Sequence, residues 1–221
     1  MKILCVSDEV DSVVYSPRLR ERFRDVGLVL AAGDLPMEYL SYIVTVLNRP
    51  LFFVFGNHNL ADLPLYSRKA HMMHPMERPA DKAWGGTYVG FSVRSEAGCI
   101  VMGLGGSPRY NTGLNQYTQL EMWIKAILLV PALILNRIVH GRYVDIILTH
   151  APPRGIHDRN DPCHEGFSAF LWLMRAFKPR YLVHGHIHLY DATEERSTAY
   201  HSTMVVNAYG HIVISQEPAD V

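Results

Sequence analysis

The stretch Tyr181-Leu-Val-His-Gly-His-Ile-His188 decides how the rest of the chain is interpreted. A short run of strand-forming residues ends at Gly185, and two imidazoles follow it at positions i and i+2. Four earlier segments have the same form, because each runs a few strand-forming residues into an Asp, Asn or His. These segments are Ile3-Leu-Cys-Val-Ser-Asp8, Leu28-Val-Leu-Ala-Ala-Gly-Asp34, Leu51-Phe-Phe-Val-Phe-Gly-Asn-His58 and Tyr143-Val-Asp-Ile-Ile-Leu-Thr-His150. Groups just past the carboxyl ends of strands in an open α/β sheet converge on one crevice, so we expect the functional site there.

The composition is that of an ordinary globular protein. Of the 221 residues, 48% are apolar and 19% are charged, and the length favours one domain, 1–221. Lys+Arg and Asp+Glu are 21 each, so no net field attracts nucleic acid or an acidic membrane surface. We therefore expect neither nucleic acid nor membrane among the partners.

The cysteines and the N-terminal residues predict a cytoplasmic protein. Three cysteines without paired spacing do not indicate a disulfide framework, which fits a reducing compartment. The apolar run that follows Lys2 is far shorter than the core of a secretory signal. The longest apolar stretch, 126–135, contains Pro131 and is shorter than the roughly 18 residues that span a bilayer.

Hydrophobic periodicity predicts the order of the elements. The predicted strands are 2–7, 28–32, 51–55, 143–148 and 180–184, with hairpins at 87–94/99–104 and 202–207/211–215. The predicted helices begin at Ser16-Pro17 and at Pro36 and cover 117–139 and 165–177. The early strand–helix–strand units imply a parallel sheet, and the hairpins imply a second sheet packed face to face with it. The pattern therefore predicts an α/β fold with helices outside two sheets.

The predicted helix 117–139 is apolar on nearly all sides between Ile124 and Leu135, and Pro131 should kink it. Three interpretations are open for such a helix. It could be buried under the second sheet, it could form a homodimer interface, or it could bind a lipid-bearing substrate.

The residues that end the five segments form a set of metal ligands. Together they offer two carboxylates, one amide oxygen and three imidazoles, which suits Mn, Fe or Zn better than Ca or Mg. They are Asp8, Asp34, Asn57, His150, His186 and His188. Six ligands exceed the need of one ion with an open position, so two divalent transition-metal ions are expected. Two such ions can hold a hydroxide and polarise a phosphoryl oxygen for in-line attack.

In this order the segments resemble the calcineurin-like metallophosphoesterase family. The family pattern is D-x-H, G-D-x-x-D, G-N-H-[DE], a lone histidine and G-H-x-H. The chain has Asp8-Glu9-Val10, Gly33-Asp34-Leu35-Pro36-Met37, Gly56-Asn57-His58-Asn59, Thr149-His150 and Gly185-His186-Ile187-His188. The resemblance covers most of the chain, although 60–115 carries no block. It implies a four-layer α/β/β/α sandwich of two mixed sheets.

The resemblance also implies a role for each matched residue. Asp34 would bridge the two ions, and Asn57, His150 and His186 would complete one site with it. Asp8 and His188 would serve the other site. His58 resembles the family's catalytic histidine that is not a ligand, which stabilises the phosphoryl oxygens or protonates the leaving group.

Three positions depart from the family pattern. Val10 replaces the histidine of D-x-H, Met37 replaces an Asp that orients the catalytic histidine, and Asn59 replaces an acidic residue. Glu9 and Asp11 are close enough in sequence to substitute as ligands, although Glu9 should point away if the strand continues. We expect one full metal site and a weaker or water-completed second site.

Candidates for substrate binding lie in the loops near the predicted crevice. His164 and Arg154 belong to the loop between two ligand-bearing strands, and Arg109 follows Gly105-Gly106. Equally, His164 and Arg154 could cap the helix 165–177 or face solvent, and Arg109 is a weaker candidate than these two. The segment 59–86, which includes His71 and His74, would contribute to substrate choice but carries no readable code.

The predicted function is that of a metal-dependent phosphoesterase that hydrolyses a small phosphate ester by attack of metal-bound hydroxide. A phosphodiester is favoured slightly over a monoester, because no dedicated monoester clamp is visible. Manganese is among the metals that the ligand set suits. The alternative is a catalytically weakened metal- or nucleotide-binding regulatory module of the same fold, which Val10 and Met37 motivate.

Overall fold

The computed structural model of the chain describes residues 1–66, 85–191 and 193–216. The strands are β1 (Lys2–Ser7), β2 (Val26–Ala31), β3 (Leu51–Phe53), β4 (Thr87–Tyr88), β5 (Ser92–Glu96), β6 (Cys99–Leu104), β7 (Ser107–Pro108), β8 (Gln116–Tyr117), β9 (Ile146–Thr149), β10 (Tyr181–His184), β11 (Ser197–Tyr200), β12 (Thr203–Asn207) and β13 (Gly210–Ser215). The helices are α1 (Leu19–Arg22), α2 (Met37–Leu47), α3 (Gln119–Leu128), α4 (Val130–His140) and α5 (Ser168–Phe177), with a 3-10 helix at Leu63–Tyr66. Most of the predicted loop 59–86, with His71 and His74, lies outside the described residues.

Each of the two large sheets has a parallel centre. The first has the order β13-β1-β2-β3-β4, in which only β13 runs antiparallel to its neighbour. The second has the order β11-β12-β10-β9-β6-β5, with β11 and β5 antiparallel at its edges. Central strands of this kind are covered on both faces, and β1 accordingly buries every residue after Lys2.

Three hydrophobic cores separate four layers. Leu4 packs outward against α2, whereas its neighbour Ile3 packs inward between the two sheets, because successive side chains of a strand point to opposite faces. Val183 meets Ile3 in the middle core, and Phe170 of α5 belongs to the third core. The predicted four-layer α/β/β/α sandwich of two mixed sheets is therefore confirmed.

The first predicted hairpin is partly wrong and the second is wrong, because the chain crosses between the sheets at these points. β4 joins the first sheet beside β3, and the hairpin consists of β5 and β6 alone. The last two strands do not pair with each other, since β12 pairs with β10 and β13 pairs with β1. Alternating patterns locate strands but carry no information on which sheet receives them.

The first helix is shorter than its sequence pattern indicates. α1 has four residues, and Val26 lies in β2, where it pairs with Lys2. Ser16 does not cap α1, since its hydroxyl donates to the Val13 carbonyl. Pairing with β1 outweighs the helical periodicity around Val26, because strand pairing buries a β-branched side chain well.

The predicted apolar helix is observed as α3 and α4. The two helices are separated at Leu129, two residues before Pro131, which has no N–H to continue the hydrogen-bond ladder. Taken together, Gln119–His140 is long and apolar enough, by length and composition alone, to cross a membrane. An 18-residue stretch of it has a mean hydropathy of 1.8, and 17% of that stretch is buried in the protein. Burial under the second sheet, the first of the three interpretations, therefore holds for one side of the helices only.

Candidate metal centre

Three of the predicted ligands begin sharp turns directly beyond strands. Asp8, Asp34 and His186 have φ values of 64°, 56° and 67°, in the left-handed region that side chains other than glycine rarely adopt. Such conformations cost on the order of 1–3 kcal/mol each and concentrate at functional sites. In this protein they follow β1, β2 and β10 and bring residues of both sheets into the same crevice.

Two glycines allow these turns to pack closely. A Cβ at Gly56 would lie 2.1 Å from Asp34 Oδ1 and 2.5 Å from His150 Cε1. A Cβ at Gly185 would lie 1.9 Å from Ser7 Oγ and 2.4 Å from Asp8 Oδ2. The ligand-bearing turns therefore approach one another at a distance that only glycine permits.

His150 is the centre of the first group of ligands. Its Nδ1 donates to the Ala32 carbonyl at 2.8 Å, which leaves the Nε2 lone pair directed into the crevice. Asp34 Oδ2 lies 3.3 Å from this Nε2, and Asn57 Oδ1 lies 3.1 Å from it. The Asn57 amide nitrogen donates to the Tyr110 hydroxyl at 3.2 Å, so its oxygen faces His150.

These three atoms are all electron-rich, and without a proton or a cation between them they would repel one another. Burial disfavours a charged His150, but the charge and hydrogen bond of Asp34 outweigh burial and raise the pKa of His150 to about 9. Burial acts to raise the pKa of Asp34, but the charge of His150 outweighs it and holds this pKa at about 2. A carboxylate, an amide oxygen and an imidazole around one position fit a divalent transition-metal ion.

His186 completes this group. Its Nε2 lies 2.6 Å from the Cys163 carbonyl, so the ring proton is on Nε2. The unprotonated Nδ1 is then free to bind a metal. Burial, followed by the charge of His150, lowers the pKa of His186 to about 3, so the ring is neutral. Ligand atoms of Asp34, His150 and His186 all lie within 4.8 Å of one another. The structure thus brings together the four residues predicted for the full site.

The second predicted site has fewer metal-ligating groups. Both carboxylate oxygens of Asp8 accept hydrogen bonds from the His186 backbone N–H, at 3.1 and 2.9 Å. Burial raises the pKa of Asp8, and the nearby Asp34 carboxylate adds to this effect. His188 Nε2 lies 3.8 Å from Asp8 Oδ1, and its half-exposed ring stacks on Tyr209 with centroids 4.9 Å apart. Asp8 and His188 thus lie side by side at this crevice, and a second metal site formed by them with Asp34 stays a prediction.

Neither Glu9 nor Asp11 replaces the missing histidine at Val10. Glu9 is exposed, and burial together with a hydrogen bond to Glu9 raises the pKa of Tyr209. Asp11 Oδ2 lies 2.5 Å from His211 Nδ1, and its other oxygen accepts from the Val13 amide at 2.7 Å. Both carboxylates thus have other side-chain partners, His211 for Asp11 and Tyr209 for Glu9.

His58 lies at the mouth of the crevice. Its backbone N–H donates to Asp34 Oδ1 at 2.8 Å, which ties the G-N-H turn to the predicted bridging carboxylate. The side chain is exposed, and within the part of the chain that the structure describes its imidazole makes no hydrogen bond. This agrees with the loss of an orienting carboxylate at Met37, which is buried.

The three predicted substrate-binding residues are in different situations. His164 lies beside the metal ligands, with its ring centroid 5.3 Å from that of His186, and its Nδ1 is 2.8 Å from Asp161 Oδ1. Arg154 is 2.6 Å from Glu165 at the edge of a cavity of about 500 Å³. Arg109 is bonded to both carboxylate oxygens of Glu121, at 3.0 and 2.9 Å.

Sequence reasoning missed several residues that hold the crevice in shape. Asn115 donates to the Phe55 and Gly56 carbonyls at 3.1 and 2.6 Å and so fixes the G-N-H turn. Tyr110, from the same loop, fixes the Asn57 amide. The polar composition of 109–116 indicated a surface loop, and only its position after Gly105-Gly106 could have pointed to the site.

A second histidine pair supports the turn from behind. His184 is fully buried, its Nδ1 donates to the Gly185 carbonyl at 2.9 Å, and its Nε2 is 2.9 Å from His157 Nδ1. Burial, followed by the charge of His157, lowers the pKa of His184 to about 3. His184 is therefore a structural residue beside the G-H-x-H turn.

Comparisons with known proteins agree with this geometry. The family model described as calcineurin-like phosphoesterase matches residues 1–190. No curated protein matches the chain significantly. One solved structure is 16% identical over 96% of this chain and 94% of its own, with a TM-score of 0.60. TT1561 of Thermus thermophilus is 15% identical, with coverages of 95% and 89% and a TM-score of 0.57. GAP50, described as the anchor in the inner membrane complex of Plasmodium, is 9% identical, with coverages of 94% and 70% and a TM-score of 0.51. At these identities the likeness shows a shared fold.

Proposed function

Because the chain belongs to the calcineurin-like phosphoesterase family, we propose that it is a metal-dependent hydrolase of a small phosphodiester. A transition-metal ion would be held tightly by Asp34, Asn57, His150 and His186. Asp8 and His188 would hold a second ion more weakly, with Asp34 shared between the two.

The observation that carries the proposal is the arrangement around His150. Its Nε2 faces Asp34 Oδ2 and Asn57 Oδ1 at 3.3 and 3.1 Å, and Nδ1 is already used by the Ala32 carbonyl. Each of these groups is positioned by another hydrogen bond, as ligands are when outer contacts orient them. The left-handed backbone at Asp34 and at His186 is maintained although it costs free energy, which is typical of functional sites.

When bound, the ions would supply a water molecule of lowered pKa and positive charge for the phosphoryl oxygens. His58, which lies at the mouth, would donate a hydrogen bond to a phosphoryl oxygen or a proton to the leaving group. Among the described residues no side chain hydrogen-bonds to this imidazole, and we infer that substrate orients it. We expect this arrangement to be slower than one with a pre-oriented histidine.

The cavity beside the crevice supports an ester with a substantial group on the phosphate. An open cleft of about 500 Å³ lies next to Asp161, whose carboxylate contacts His164 at the edge of the metal ligands. Arg154 and Arg159 line this cavity and could grip a phosphate or a polar leaving group. A monoester needs no room on the far side of the phosphorus, so the cavity favours a diester.

A regulatory module that binds metal without efficient turnover is the second candidate. The observation that favours it is the loss of a ligand at Val10, since Asp11 is bound to His211 and Glu9 to Tyr209. A second ion held by three residues would bind weakly, and catalysis that needs both ions would be slow.

The test combines metal content with turnover. Protein purified without chelator is analysed for bound metal, and hydrolysis of bis(p-nitrophenyl) phosphate and p-nitrophenyl phosphate is measured with and without manganese. We expect metal-dependent turnover, faster on the diester, that is lost in Asp34→Asn and reduced by about 10²-fold or more in His58→Ala. His201→Ala, an exposed histidine at a turn between β11 and β12, serves as the control.

The outcomes separate the two candidates. Bound metal without turnover on either ester, in the presence of excess manganese, supports the regulatory module. Absence of metal binding altogether contradicts both, whereas faster turnover of the monoester contradicts only the choice of a diester.

A further inference from the structure

The outer face of α3 and α4 is apolar, and within 1–66, 85–191 and 193–216 no segment covers it. Eight leucine, isoleucine and valine side chains on these helices are exposed, from Ile134 at 49% to Ile138 at 77%. They expose on the order of 800 Å² of apolar surface, more than the few hundred Å² that soluble monomers usually leave in one patch. The opposite side of the helices, with Met122, Ala126 and Leu133, is buried against the second sheet.

The exposed residues follow a repeat that suits another helix. Leu120, Ile124, Ile127, Pro131, Ile134 and Ile138 are separated by alternating steps of four and three residues, and we call them the seam. This is the spacing of the core positions of a coiled coil, where side chains of one helix insert between four residues of the other. Leu128 and Leu135 flank the seam at one edge, so that a partner helix would meet an apolar strip wider than the seam itself.

The charges beside the seam do not suit a lipid surface. Helices that lie on membranes carry lysine and arginine on their polar face, directed to the head groups. Here the Lys125 ammonium lies over the Phe91 ring at 4.1 Å, and the Arg137 guanidinium lies over the Tyr143 ring at 5.8 Å. Both cations are therefore directed to the protein.

A crossing of the membrane by these helices is incompatible with the fold. Trp123 Nε1 donates to Ser168 Oγ of α5 at 3.0 Å, and its ring packs on Trp172 with centroids 5.3 Å apart. The strands before and after the helices are also paired within the fold, β8 with β7 and β9 with β6 and β10. Both ends of the two helices are thus held by the same folded chain, so they would lie on the same side of a membrane.

We propose that the seam is the interface of a homodimer, in which α3 and α4 of two copies pack against each other about a two-fold axis. In such an interface the same surface supplies both the inserted side chains and the spaces that receive them, so one seam covers the other. The available area is close to the roughly 800 Å² that each partner contributes to a stable interface. The metal centre lies in the crevice between the sheets, so pairing through the outer helices leaves it open.

The experiment measures the mass of the full chain in detergent-free buffer by sedimentation velocity across a concentration series. We expect a dimer of twice the 25.1 kDa chain mass. Ile138→Glu and, at the other end of the seam, Leu120→Glu should each raise the dissociation constant by at least about tenfold, since they place two buried charges at the interface. Both positions are exposed in the single chain, and circular dichroism confirms that the variants are folded. Leu114→Glu, a similarly exposed leucine outside the helices, should remain dimeric.

Three results would overturn the proposal. A monomeric wild-type chain at every concentration excludes the homodimer, as does a dimer that both seam variants leave intact. A monomer that sediments with vesicles of phosphatidylcholine and phosphatidylglycerol, and loses this property in Ile138→Glu, assigns the face to lipid instead. None of these results depends on phosphoesterase activity.

Discussion

His150 directs its Nε2 at Asp34 Oδ2 across 3.3 Å while its other nitrogen donates to the Ala32 carbonyl. The pair links β9 of the second sheet to the turn after β2 of the first. A proton on Nε2 stabilises this contact in the metal-free protein, and a metal ion would take the same lone pair. Proton and metal therefore compete for one atom.

This competition predicts that metal binding releases a proton. The pKa of His150 is about 9, so below this pH the ring is protonated and each lower pH unit should weaken metal affinity about tenfold. Calorimetric titration of manganese in buffers of different ionisation enthalpy should report about one proton released near neutral pH. Proton release on metal binding should no longer be seen above the pKa of His150. A manganese affinity that does not change with pH would contradict the prediction.

The two proposed metal sites should respond differently to loss of one ligand. Asn57→Ala removes a donor from the full site, and we expect the affinity of the tighter ion to fall at least about 10²-fold. His188→Ala removes a donor from the weaker site and should leave the affinity of the tighter ion within about threefold of wild type. Equilibrium dialysis with manganese distinguishes the two effects. Equal losses in both variants would show that the ions bind as one unit.

Restoring the family's histidine should strengthen the weaker site. Val10 is exposed and follows Asp8 by two residues. Neither Glu9 nor Asp11 takes the position of the family's histidine ligand, because both carboxylates have other partners. Val10→His should raise the affinity of the second ion by at least about tenfold and increase diester turnover. Val10→Gln, of similar size but a poor metal ligand, is the control. An unchanged stoichiometry in Val10→His would contradict the assignment of this site.

Glycine at position 56 should be required for both stability and metal binding. An added Cβ would overlap Asp34 Oδ1 at 2.1 Å, so Gly56→Ala must displace the carboxylate or the turn. We expect a loss of about 1–3 kcal/mol in the free energy of unfolding together with loss of the tighter ion. Gly27→Ala is the control, because its Cβ would meet only the flexible end of the exposed Met1 side chain. Thermal unfolding with and without manganese measures both effects.

Asp11 should contribute stability that depends on pH. Burial acts to raise the pKa of this carboxyl, but hydrogen bonds from His211 and the Val13 amide outweigh burial and lower it. A carboxyl whose pKa is lowered in the folded state stabilises the fold at pH values above its unfolded pKa of 3.8. This stabilisation is lost as the pH falls through the pKa of the folded state. Asp11→Asn should therefore cost about 1–2 kcal/mol near neutral pH and less in acid.

Denaturant unfolding at several pH values checks this prediction. Asp25→Asn is the matched control, since Asp25 is exposed and forms surface ion pairs with Lys2 and Arg24. We expect it to change the free energy of unfolding by less than about 0.5 kcal/mol. A difference between Asp11→Asn and wild type that grows as the pH falls would contradict the role of Asp11.

Local patterns predicted the elements near the site more accurately than those at the end of the chain. β1 and α2 lie where the sequence predicts them, since a continuous apolar run and an amphipathic period are local signals. The partners of β12 and β13 were not predictable in this way. Their pairing depends on a crossing between the sheets at Ala208, which no local pattern encodes.

The same difference applies to the site. The order of the ligand-bearing segments identified the family and the residues that meet around His150. The support given by Asn115 and Tyr110 was not predicted, because both residues lie in a loop about 60 positions from the turn they hold. Likewise, the exposure of α3 and α4 depends on which side of each helix faces the second sheet.

The sequence by itself determined the fold class, the family and the set of candidate ligands, because strand-forming runs that end in Asp, Asn or His are read directly from the order of residues. Only the tertiary structure decided that Glu9 and Asp11 have other side-chain partners, that Arg109 is bound to Glu121, and that the side chains of the seam are exposed. The physical reason is that hydrogen bonds and burial depend on the three-dimensional neighbours of a side chain. Neighbours far apart in sequence are set by how the two sheets pack, not by the residues beside them in the chain.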